Sequence, residues 1–107
     1  MDELTRTELV VLAAMSEQAR YGYELVDRIE ELTSGHIRLR PGNLYRVIDR
    51  LLSHGLAAEV SPPAGVDERR RYFRATARGR RAAAAQLSMY STVLHRVPAL
   101  RDAHANG

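Results

Sequence analysis

The stretch Arg40-Pro41-Gly42-Asn43-Leu44-Tyr45-Arg46-Val47-Ile48-Asp49-Arg50-Leu51-Leu52-Ser53-His54-Gly55 decides the fold of this chain. It reads as one short helix with both ends marked. Proline lacks an N–H that the first helical turn would leave unpaired anyway, so Pro41 predicts the start. Gly55 predicts the left-handed residue that closes the helix, with Leu56 folding back on Leu51 or Leu52. At about 100° per residue, Leu44, Val47, Ile48, Leu51 and Leu52 share one side, and Asn43, Arg46, Asp49 and Arg50 share the other. The first side is a core surface. The second carries two guanidinium groups and an amide. Arg reads guanine edges or grips phosphate and Asn pairs with adenine, so this face suits a DNA major groove. A solvated polar face looks the same in isolation; the surroundings decide.

At 107 residues the chain is one domain by length, large enough for a single modest core. The 45% hydrophobic and 27% charged content describe an ordinary globular protein. With no cysteine, disulfides and thiolate metal sites are excluded, and an intracellular setting is expected. The chain opens on Asp2 and Glu3 rather than a basic signal region, and the apolar run Leu9 to Met15 is too short to span a bilayer. A cytoplasmic protein with no membrane partner is the expectation. Net charge is only +3, but it is unevenly spread: residues 1–37 hold three Arg and eight acids, residues 38–81 eleven Arg and four acids. One basic surface and one acidic surface follow, as a domain sitting on phosphate requires. All sixteen basic side chains are Arg, which base composition explains as well as phosphate contact does.

Around the central helix the other elements fall into place. Thr5 to Glu17 predicts a first helix, with Thr5 and Glu8 at capping-box spacing. Leu9, Leu12 and Ala13 line one side, and Val10, Val11 and Ala14 widen the apolar surface, which predicts core on one side and subunit contact on the other. Ala19-Arg20 is a turn. Gly22, Leu25, Val26, Ile29 and Leu32 predict a second helix to Thr33, closed by Ser34-Gly35. His36 to Leu39 is β-prone, an edge strand or an extended turn. After Gly55 the period becomes two: Leu56, Ala58 and Val60 point inward in one strand, Phe73 and Ala75 in a second, with Tyr72 and Arg74 outward. A loop of about nine residues containing Pro62-Pro63-Ala64-Gly65 and Asp67-Glu68-Arg69-Arg70 joins them, long enough to suggest a function. Thr76 caps a last helix that stops near Arg96, ahead of Pro98. Its stripe of Leu87, Tyr90, Leu94 and Val97, widened by Met89 and Val93, extends beyond what a small domain can cover, so a second copy is expected against it. The residues after Pro98 read as a frayed tail.

The fold class expected is therefore mainly α with a small β-hairpin: a winged helix-turn-helix over residues 1–75, a C-terminal dimerisation helix over 76–97 and a flexible tail over 98–107. The helix from Pro41 is the reader, and the hairpin is a wing placing Arg69, Arg70 and Arg71 beside the adjacent backbone.

Several segments together resemble the PadR family of bacterial transcriptional regulators: Gly22-Tyr23-Glu24-Leu25, Pro41-Gly42-Asn43-Leu44-Tyr45-Arg46, Leu51 to Leu56, Arg70 to Thr76, and Gly79-Arg80. The resemblance covers about residues 4–95, in family order and with family-like spacing. It implies a dimeric winged-helix protein, usually a repressor of a pseudo-palindromic operator and often released by a small molecule. It also implies that Asn43, Tyr45, Arg46 and Arg50 contact the groove and its phosphates, that the wing arginines add backbone contacts, and that the first and last helices form the dimer. Leu9, Leu12, Leu87, Tyr90, Val93 and Leu94 are the dimerisation candidates. A tryptophan that stacks on flat ligands in drug-sensing members has no counterpart here; the last helix offers Met89 and Tyr90 instead.

Alternatives stay open at individual positions. Tyr45 can bond phosphate or pack between helices, and Asn43 can read a base or cap backbone N–H groups. Arg46 and Arg50 can contact DNA or pair with Asp49 or Glu59, and Asp67 and Glu68 can neutralise the wing when DNA is absent. His36, His54, His95 and His104 lack ligand spacing, so no metal is expected. No nucleophile–base arrangement or phosphate-cradling glycine loop is legible, so neither an enzyme nor a cofactor is predicted. The competing reading is a winged-helix interaction module docking an acidic protein partner.

Overall fold

The computed structural model describes residues 3–106; Met1, Asp2 and Gly107, at the ends of the expected first unit and tail, lie outside the described residues. Five helices and three short strands follow in the order α1 (Arg6–Glu17), β1 (Arg20–Tyr21), α2 (Gly22–Leu32), α3 (Pro41–Ser53), β2 (Ala57–Val60), β3 (Tyr72–Ala75), α4 (Ala77–Arg96) and α5 (Pro98–Ala105). The strands form one antiparallel sheet in the order β1-β3-β2.

Local chemistry sets the helix ends. Thr5 accepts from the Glu8 N–H at 3.1 Å while the Glu8 carboxylate accepts from the Thr5 N–H at 2.8 Å, completing the box that opens α1. Pro41 opens α3. At its other end Gly55 takes φ +72°, the Leu56 N–H donates to Leu51 at 2.9 Å, and the Gly55 N–H donates to Leu52 at 3.1 Å. This is the reciprocal closure that a left-handed glycine permits, sealed by contact between Leu51 and Leu56, both buried.

The core gathers Leu12, Met15, Leu25, Ile29, Leu44, Ile48, Leu51 and Phe73, all fully buried. α1 lies at its centre, packed on α2, α3, β3 and α4.

The structure differs from expectation in several places, each for a local reason. Arg20–Tyr21 is a strand, not a turn: Arg20 pairs with Phe73 and Tyr21 with Tyr72, making β3 the central strand. Two residues are too few to show alternation. Tyr72 is consequently buried rather than outward, its ring 5.5 Å from that of Tyr21. His36 to Leu39 pairs with no strand: His36 is a bend whose N–H donates to Thr33 at 3.0 Å, and Ile37 and Leu39 anchor the segment in the core. In β2 the inward residue is Ala57, with Ala58 and Val60 half-buried. Leu56 belongs to the helix-closing turn, so the alternation starts one residue later than predicted. Leu32, expected in the core, is exposed at the last turn of α2. The loop between the paired strands runs over residues 61–71. The stretch expected to be a frayed tail is largely α5, with Pro98 at its first turn, where proline is well suited.

Leu9 and Leu12 are also corrected. They are 5% and 0% exposed, inside the protomer's own core, so neither is a surface through which a partner is met. An all-round apolar helix needs cover on several faces, and here the other elements of the same chain supply it.

Candidate nucleic-acid interface

Asn43, Arg46, Asp49 and Arg50 are exposed on α3, opposite Leu44, Val47, Ile48 and Leu51. The wing loop supplies Arg69, Arg70 and Arg71, all exposed. A cleft of about 420 Å³ lies beside the wing, with Tyr21, Tyr23, Pro41, Tyr45 and Arg70 among its walls. The three wing arginines line this cleft together with the start of α3 at Pro41, Leu44 and Tyr45, while Asn43, Arg46 and Arg50 lie outside its walls.

They are not equally free. Arg50 approaches Glu8 through its Nε at 3.6 Å. Burial pushes the Glu8 carboxyl up, but the Thr5 backbone and hydroxyl hydrogen bonds and the Arg50 charge together outweigh it and hold it below its ordinary value. Arg71 donates to both oxygens of Glu59, at 2.9 and 3.3 Å, and lies over the Phe73 ring at 5.0 Å. The hydrogen bond to Arg71 lowers Glu59 in turn. Arg69 forms a fork with Asp67 at 3.0 and 3.1 Å, and its backbone N–H adds a third bond to the same carboxylate. Among the described residues Arg46 and Arg70 have no carboxylate partner; Arg70 instead stacks on the Tyr21 ring at 4.5 Å. The Arg69–Asp67 and Arg71–Glu59 pairs are exposed and therefore weak, so a phosphate can displace them, whereas the Glu8 carboxylate that Arg50 approaches is largely buried.

Tyr45 is half-buried. Its ring stands edge-on to Phe73 at 6.3 Å, and its hydroxyl closes on Gly22 so tightly that a Cβ there would lie 2.6 Å away. Packing between α2, α3 and β3 is thus its observed role in the free protein. Asn43 makes no capping bond; Arg40 occupies the cap position without a side-chain bond.

Three features were not read from the sequence. Glu8 was visible as a capping residue, but its partnership with Arg50 depends on how α1 crosses α3. The stack of Tyr72, Tyr21 and Arg70 depends on the unforeseen strand β1. Gln86 of α4 holds the backbone of Leu4 by two hydrogen bonds, 2.9 Å to its N–H and 2.8 Å from its carbonyl, across 82 positions of chain with no local signal.

On α4 the seam facing the body starts with Gly79 and Ala83, both buried, and continues through Gln86 and Tyr90 at helical spacing. The same stripe then leaves the body. Leu87, Tyr90, Val93 and Val97 are exposed, as are Met89 and Leu100 beside them, and Leu94 is half-buried. No described helix is long and apolar enough to cross a membrane, and no metal-binding cluster exists among the described residues.

Comparison with known proteins agrees with this geometry. Residues 11–85 match the model of the transcriptional regulator PadR-like family. A PadR-family transcriptional regulator from Eggerthella lenta is 29% identical, with a TM-score of 0.65 over 87% of this chain and 79% of that one. A PadR-family regulator from Clostridium difficile gives 0.70 at 18% identity, over 86% and 97%. BpsR from Bordetella bronchiseptica, whose DNA binding is regulated by 6-hydroxynicotinic acid, gives 0.72 at 23% identity, over 98% and 72%. No curated protein sequence matches the chain. The winged-helix fold, the basic face of α3 and the family match over residues 11–85 agree: this chain belongs to the PadR-like family of transcriptional regulators, which are DNA-binding proteins and not enzymes.

Proposed function

We propose that two copies of this chain bind one pseudo-palindromic operator, each placing α3 in a major groove and its wing on the flanking backbone, and that the complex represses transcription. The observation that carries this is the outward face of α3, where Arg46 stands exposed and, among the described residues, without a carboxylate partner. Arg46 is the base reader, with Asn43 and Arg50 beside it. Tyr45 supports the helix and turns its hydroxyl to a phosphate on binding. Arg69, Arg70 and Arg71 hold the adjacent strand. The apolar stripe of Leu87, Tyr90, Val93 and Leu94 supports dimerisation through α4, because it continues a buried seam into solvent where only another apolar surface can cover it. Leu9 and Leu12 have no part in that contact. Release by a small molecule extends the same reading; DNA binding by the similar Bordetella protein is regulated by 6-hydroxynicotinic acid.

The test is a mobility shift on an inverted repeat near the protein's own coding region. Log affinity should fall against log salt with a slope of about −0.9 per phosphate neutralised. Arg46→Ala should cost about 1–3 kcal/mol on the operator and little on unrelated duplex, as for a base reader. Equal loss on both would make Arg46 a phosphate contact, and weak binding without sequence preference would remove the operator reading altogether.

A further inference from the structure

α4 leaves the winged-helix body at one place, and that place is held by a polar network rather than by packing alone. The Gln86 amide oxygen accepts from the Leu4 N–H at 2.9 Å, and its nitrogen donates to the Leu4 carbonyl at 2.8 Å and to the Tyr90 hydroxyl at 2.9 Å. The Tyr90 hydroxyl in turn donates to Glu3 at 2.8 Å. Every hydrogen-bonding group of the Gln86 amide is used, and the backbone of Leu4 is paired as it would be with a neighbouring strand. Leu4 itself is 8% exposed and belongs to the core, so the anchor is fixed to the body. Beyond Tyr90, no hydrogen bond among the described residues joins α4 to the body. The network is therefore the last tie before the arm projects.

We propose that Gln86, with Tyr90 and Glu3, is a positioning group that fixes the angle of the C-terminal arm and thereby sets the half-site spacing the dimer selects. The proposal rests on the dimeric operator reading above. In a two-fold dimer joined through its arms, any change in arm angle moves both reading helices, in opposite directions. The shortest extent of the molecule is 24 Å. A tilt of about 8° across that thickness displaces the far side by about 3.4 Å, one base-pair step. The close approach of Gly79 to Leu56 holds the start of the arm, and the Gln86 network adds the second fixed point, two turns further along, that an angle requires.

The experiment compares wild type, Gln86→Met and Glu3→Ala, after sedimentation establishes the oligomeric state of each. Methionine keeps the length and volume of glutamine and removes its hydrogen bonds. Glu3 is exposed, so its replacement leaves the fold intact even if the Gln86 variant is too unstable to use. An operator selected by wild type from random DNA is rebuilt as a series of duplexes in which the half-sites are moved apart or together in single base-pair steps, with one isolated half-site as reference. Wild type should lose at least about tenfold in affinity two steps from its optimum, since reading helices must meet successive grooves on one face. Gln86→Met should flatten that series to within about threefold while binding the isolated half-site as wild type does. Glu3→Ala should flatten it in the same direction by a smaller factor. A dimeric variant that keeps the wild-type series, or one that loses the same factor on the isolated half-site and on every spacing, overturns the positioning role. A wild type that is monomeric or selects only single half-sites removes the dimeric reading, and this proposal with it.

Discussion

Replacing Gly79 with alanine tests how α4 joins the winged-helix body. Gly79 is buried in the first turn of α4, and its N–H donates to the capping Thr76 hydroxyl at 3.1 Å. A Cβ built there would stand 2.0 Å from the Leu56 carbonyl oxygen, 2.9 Å from its carbon and 3.1 Å from a methyl of Leu12. Ordinary carbon–oxygen contacts begin near about 3.3 Å, so the two backbones must separate by about 1.3 Å. Neither is a flexible side-chain end. The Thr76 N–H donates to that same Leu56 oxygen at 3.0 Å, and the Thr76 hydroxyl donates to Gly55 at 2.8 Å. A displacement of that size breaks both. Overpacking costs about 1–3 kcal/mol, and the two hydrogen bonds about 1 kcal/mol each. The gain in helix propensity from glycine to alanine returns about 1 kcal/mol. The net expectation is a loss of about 2–4 kcal/mol, or roughly 10–30 °C in Tm for a domain this small. Urea unfolding followed by far-UV circular dichroism measures it, at one fixed protein concentration because a dimer's unfolding depends on concentration. Stability equal to or above wild type would refute the reasoning, because an unobstructed helical glycine gains from the same change.

Three further substitutions have expected outcomes. Gly42→Ala, in the first turn of α3 with nothing within 4 Å of the added methyl, should raise stability by about 0.5–1 kcal/mol. It should also weaken operator binding, because the methyl occupies space a phosphate needs to reach the first-turn N–H groups; thermal melts and mobility shifts on the same sample separate the two effects. Glu59→Gln should change stability by less than about 0.5 kcal/mol, since its pair with Arg71 is exposed, yet tighten DNA binding and steepen the salt slope by about one unit as a cation is released. An unchanged slope would place Arg71 away from phosphate. Because the Glu8 carboxyl is held below its ordinary 4.5, the stability it contributes is complete above that value and is lost as pH falls through the lowered one. Glu8→Gln keeps the capping acceptor and should show a weaker acid dependence in the same unfolding assay; an identical pH profile would remove Glu8 as a source of it.

Most of the site was legible because its carriers lie within single elements. The span from Pro41 to Gly55 contains its own start, stop and two faces, so the outward placement of Asn43, Arg46 and Arg50 followed from helical period alone. Thr5 with Glu8, and Thr76 ahead of α4, are equally local. What the sequence did not carry is contact between distant segments. Whether Tyr45 touches phosphate or Phe73 is decided by how α3 crosses the sheet. Whether Leu9 and Leu12 meet a partner or the chain's own core is decided by how many elements surround α1. Tyr72 turned inward because β1 exists, and β1 spans only two residues, too short for any periodic signal. Gln86 follows four alanines in α4, and nothing local in the sequence marks it as the partner of Leu4.

The central claim is that a two-fold pair of α3 helices enters successive major grooves. Guanine N7 methylation interference on the selected operator tests it most directly, because N7 lies on the major-groove edge that an arginine reads. The account predicts two symmetric clusters of interfering guanines centred about one helical turn apart on one face of the duplex, with Arg46→Ala erasing the same base in each half. A single cluster, or a complex indifferent to N7 methylation, would contradict it.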